Sequence, residues 1–69
     1  MNYLKLKDVT KGSWIVNREI PNAAPWYVCG KYAGVAIVRR GPKKGKLMAL
    51  TAGQLRAFEM TDKPDHIGS

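Results

Sequence analysis

Cysteine and histidine are almost absent from these 69 residues: Cys29 and His66 are the only ones. One cysteine excludes an intramolecular disulfide, and the pair cannot build a zinc cage. A chain without such staples fits a reducing compartment, so a cytoplasmic location is expected. Long apolar runs are missing too. None approaches the roughly 18 residues of a membrane-spanning helix, and the N-terminus carries no apolar signal-peptide core, so a soluble chain is expected. Acidic residues are scarce and badly distributed. Five Asp and Glu face twelve Lys and Arg, for a net charge of +7. Between Ile20 and Phe58 there is no acid at all, against seven cations: Lys31, Arg39, Arg40, Lys43, Lys44, Lys46 and Arg56. The remaining five cations and five acids cancel, so the whole net charge resides in that middle stretch. Such a block calls for an acidic partner, either nucleic acid or an acidic protein surface, unless it is a solvated face. Length leaves room for a single small core.

What remains is a β-rich pattern. Tyr3-Leu4-Lys5-Leu6-Lys7 alternates as a short edge strand would, and Asp8 to Ser13 reads as a turn around Gly12. Trp14-Ile15-Val16 is a compact buried strand, and the stretch from Glu19 to Pro25, with two prolines, is a loop. Trp26-Tyr27-Val28-Cys29, bounded by Gly30, forms a second strand, and Tyr32 to Arg40 a third. Gly41-Pro42-Lys43-Lys44-Gly45 is a hairpin loop, and Lys46 to Leu50 returns with Leu47 and either Met48 or Leu50 facing the core. Thr51-Ala52-Gly53-Gln54 has the spacing of a capping box, followed by a short helix that buries Leu55 and Phe58; alternation from Leu55 to Met60 fits a strand equally well. The expected architecture is mainly β: a small SH3-like barrel or twisted antiparallel sheet with at most one short helix near 52–58. Residues 1–60 make one domain and 61–69 a disordered tail.

Catalytic constellations are poor. Cys29 sits in an apolar strand with no neighbouring base, and Asp8, Glu19 and Glu59 have no spacing suited to paired acid–base work. Gly41 to Lys46 places three residues between its glycines where a phosphate-binding loop has four, and Leu47 stands where Ser or Thr would hold magnesium. No enzymatic activity, cofactor, metal, membrane or small-molecule substrate is expected. The candidate site is instead a binding surface. Arg39, Arg40, Lys43, Lys44 and Lys46 put five cations into eight residues, a local positive field on a tight turn. The two arginines suit bidentate pairing with carboxylate or phosphate. Of the aromatics, Tyr3, Trp14, Trp26, Tyr27, Tyr32 and Phe58 could stack on bases or pack in the core. Trp26 and Tyr27 are consecutive, so one of them faces outward from a strand and can anchor an interface.

Val35-Ala36-Ile37-Val38-Arg39-Arg40-Gly41-Pro42-Lys43-Lys44-Gly45-Lys46 resembles a KOW motif, with Gly41, Pro42, Lys44 and Gly45 carrying the match. The further glycine usual in that family is Met48 here. KOW motifs belong to SH3-like barrels of ribosomal proteins and of NusG-type elongation factors. The resemblance implies a barrel whose basic hairpin touches RNA or an RNA-processing machine. In kind, a small basic chain of this build also resembles the bacteriophage proteins that bind host RNA polymerase as inhibitors or antiterminators. That implies a module docking on RNA polymerase or another acidic protein surface. The other expectation is direct, ribosomal-protein-like binding to RNA or DNA backbone.

Overall fold

The structure, a computed structural model, describes residues 4–64. Tyr3, residues 65–69 of the expected tail, and His66 with them lie outside the described residues. The chain is mainly β, with one antiparallel sheet of five strands and one short helix. In chain order these are β1 (Trp14–Asn17), β2 (Trp26–Tyr32), β3 (Val35–Arg39), β4 (Met48–Thr51), α1 (Ala52–Leu55) and β5 (Phe58–Thr61). Their order across the sheet is β4-β3-β2-β1-β5, so the last strand returns beside the first and β4 and β5 form the edges.

Period-two alternation sorts the strands into two faces. In β3, Ala36 and Val38 are buried while Val35, Ile37 and Arg39 lie on the opposite side, half-exposed. One face packs the core: Leu4, Val9, Ile15, Val28, Ala36, Val38, Leu50, Leu55 and Phe58. No polar or charged residue is buried among the described residues, so this core is purely apolar. α1 forms where the capping box is fully made. The Gln54 N–H donates to Thr51 Oγ1 at 3.2 Å, and the Thr51 N–H donates to Gln54 Oε1 at 2.9 Å. Helix and strand thus share the segment 51–61, with Leu55 closing the core from α1 and Phe58 from β5.

Five expectations are corrected. Leu4 to Lys7 is no strand; Leu6–Asp8 is a single 3-10 turn, because the Asp8 carboxylate accepts the Lys5 N–H at 2.9 Å and closes the backbone locally. The third strand does not begin at Tyr32. Ala33 (φ 53°) and Gly34 (φ 81°) form a two-residue turn between β2 and β3, both at the positive φ of a type I′ hairpin. Gly30, taken above as a boundary, lies inside β2 beyond a bulge at Val28–Gly30. Leu47 is 63% exposed and Met48 39%, and only Leu50 of that strand reaches the core. Thr61, placed above in the tail, pairs with Trp14 in the β5–β1 ladder. No helix among the described residues is long and apolar enough to cross a membrane.

Candidate functional site

Register brings most of the candidate residues to one end of the β2–β3 ribbon. Tyr27 pairs with Arg39, and Tyr27 pairs on its other side with Trp14, so the three form a row across the sheet face opposite the core. The Trp14 and Tyr27 rings meet edge-to-face, with centroids 5.2 Å apart and planes at 65°. Trp14 is therefore buried, but on the outer face rather than in the main core cluster.

Arg39 and Arg40 are consecutive and consequently diverge to opposite faces. Arg39 Nε donates to the Lys44 carbonyl at 2.8 Å, tying the strand end to the loop. Arg40 lies over Trp26, its guanidinium carbon 3.6 Å from the ring centroid, and its Nη1 donates to the Ala24 carbonyl at 3.1 Å. A cation held over an indole face in this way contributes roughly 0.5–1 kcal/mol at a solvent-exposed site. Trp26 packs its remaining surface against the core. Both arginines, read from sequence as pairing groups, thus spend part of their donor capacity fixing the protein's own loops.

The loop between β3 and β4 is braced as a result. Gly41 and Lys44 exchange backbone hydrogen bonds at 3.2 and 3.5 Å around Pro42-Lys43. Gly45 sits at φ +93°, and a Cβ placed there would lie 3.0 Å from the Arg40 backbone nitrogen. Only glycine meets both demands. On this frame Lys43, Lys44 and Lys46 are exposed and make no side-chain hydrogen bond or ion pair with the described residues. Lys31 is different: its Nζ donates to the Leu6 carbonyl at 2.9 Å, pinning the 3-10 turn to β2. It belongs to the scaffold.

The site therefore separates into three outward lysines and a bracing set of Arg39, Arg40 and Trp26, with Tyr27 packed against Trp14 instead. Sequence reasoning missed the bracing partners, Ala24 and the Lys44 carbonyl, because backbone acceptors leave no trace in residue type. It also missed the exposed Leu47 and Met48 beside the lysines, although their position directly after the loop carried that signal. Cys29 is half-buried at the β2 bulge. Comparisons with protein families, with curated proteins and with solved structures return no match to this chain.

Proposed function

We propose that the chain is a non-enzymatic binding module that regulates transcription by docking on bacterial RNA polymerase, as phage-type inhibitors and antiterminators do, in the cytoplasm of the host cell. The observation that carries this reading is the braced basic loop. Arg39 ties the start of the turn to its Lys44 carbonyl and Arg40 fastens that start to Ala24 and Trp26, so Lys43, Lys44 and Lys46 are carried by a braced backbone. Little backbone entropy of the loop then remains to be lost on binding, and a preformed cation cluster meets carboxylates of an acidic protein surface with both steering and register. Base stacking has less support, since Arg40 covers one face of Trp26 and Tyr27 meets Trp14. The KOW-like resemblance of the same loop, in an SH3-like barrel, belongs to this reading.

The test is an affinity pull-down from bacterial lysate, treated with nuclease and washed at raised salt, with retained proteins identified by mass spectrometry. Recovery of RNA polymerase subunits supports docking. An empty eluate, with nucleic acid held only in the untreated low-salt control, moves the assignment to direct RNA or DNA backbone binding, whose affinity falls steeply with salt.

A further inference from the structure

The two edges of the sheet are unlike. β5 carries Glu59 and is followed directly by Asp62, Lys63 and Pro64, residues of the kind that blunt an edge against strand addition. β4, Met48-Ala49-Leu50-Thr51, has no charge, no proline and no bulge. Leu47 and Met48 expose apolar surface at its start, 63% and 39% respectively.

Its backbone polarity follows from one hydrogen bond. The Thr51 N–H is taken by Gln54 Oε1, so it points away from β3. Alternation along the strand then turns the N–H and C=O of Ala49 outward, while Met48 and Leu50 face β3. Among the described residues no hydrogen bond outside the β3–β4 ladder engages Ala49 or Leu47. The capping box closes this edge at Thr51, and the open portion runs toward the lysine loop.

We infer that β4 is a docking edge that accepts an extended strand from an acidic protein, with Lys43, Lys44 and Lys46 meeting carboxylates next to the paired segment. Two features select this occupant. An outward N–H and C=O at one residue are met together by a peptide strand, whereas a nucleic acid offers no such ladder. The adjoining loop has three outward cations, and no acid lies anywhere between Ile20 and Phe58, so complementarity demands carboxylates. Leu47 and Met48 supply the apolar contact for the alternate side chains. The inference rests on the docking reading above and adds the mode of attachment.

The experiment uses nuclease-treated bacterial RNA polymerase as the probe and follows amide hydrogen exchange of the isotope-labelled chain by NMR. In the free chain the Ala49 amide exchanges quickly, and with polymerase it slows by roughly tenfold or more. Ala49→Pro removes the outward N–H without touching the β3 ladder, and weakens polymerase binding by about tenfold while the amide spectrum stays folded. The measurement on the unmodified chain decides the matter if that variant unfolds. Polymerase binding without slowing at Ala49 overturns the edge and leaves docking intact. Slowing that depends on the chain's own concentration assigns the edge to a second copy, and slowing by an RNA oligonucleotide alone assigns it to nucleic acid; either overturns the inference. Failure of the unmodified chain to bind polymerase overturns docking itself, and the inference with it.

Discussion

Gly45 shows how much a single position in the basic loop is asked to do. Its φ of +93° is a region where a side chain strains the backbone, and the Arg40 backbone nitrogen lies 3.0 Å from any added Cβ. Gly45→Ala is expected to cost about 1–3 kcal/mol, read as a lower urea midpoint at unchanged slope. Arg40 acts by stacking and by one directed hydrogen bond, to Trp26 and Ala24. Arg40→Lys keeps the charge and loses the planar contact. Trp fluorescence should therefore shift in Arg40→Lys almost as far as in Arg40→Ala. A lysine variant with the native spectrum would show that charge alone holds the indole.

At the scale of elements, the junction of β4, α1 and β5 depends on a reciprocal pair. Thr51 and Gln54 each accept the other's backbone N–H. A helix of four residues has almost no stability of its own, so these bonds and the burial of Leu55 hold it. Thr51→Ala should destabilise the fold by about 1 kcal/mol, and Gln54→Ala by a similar or smaller amount. Because each substitution breaks one side of a shared arrangement, the double variant should lose less than the sum. Urea denaturation of the four chains measures that coupling, and strict additivity would mean that the two bonds act independently.

For the molecule as a whole, a small core leaves a thin margin. Domains of this size rarely hold more than about 3–5 kcal/mol, and Ile15 is fully buried in the core on β1, between β2 and β5. Ile15→Ala removes about 2–5 kcal/mol, so a large unfolded fraction at 37 °C is expected by circular dichroism. The charge of the molecule is separable from that core. Lys43 and Lys44 are exposed and make no side-chain hydrogen bond or ion pair with the described residues. Reversing both to Glu should move the melting midpoint little, since surface changes of this type stay within about 0.5 kcal/mol, yet abolish partner binding. Retained binding by the folded double variant would reduce the loop to a solvated turn.

Alternation, turn residues and capping spacing act over a few positions, and so the sequence alone determined what depends on near neighbours. The strand at Trp14, the strand at Trp26, the Gly41–Gly45 loop and the Thr51–Gln54 box were all legible for that reason. The concentration of cations was legible because charge is carried by residue type. Tertiary structure decided what depends on partners distant in the chain. Leu4 to Lys7 alternates like a strand, but β1 is already flanked by β2 and β5, and a local Asp8 turn takes the segment instead. Ala33 gives no composition signal for the positive φ it adopts, which the pairing of Tyr32 with Val35 requires. Arg39 and Arg40 look alike as letters. Their divergence, one to the Lys44 carbonyl and one to Trp26, follows from the pleat of β3 and the strand beside it. That division, between cations that brace the loop and lysines that remain to meet a partner, exists only once the sheet has formed.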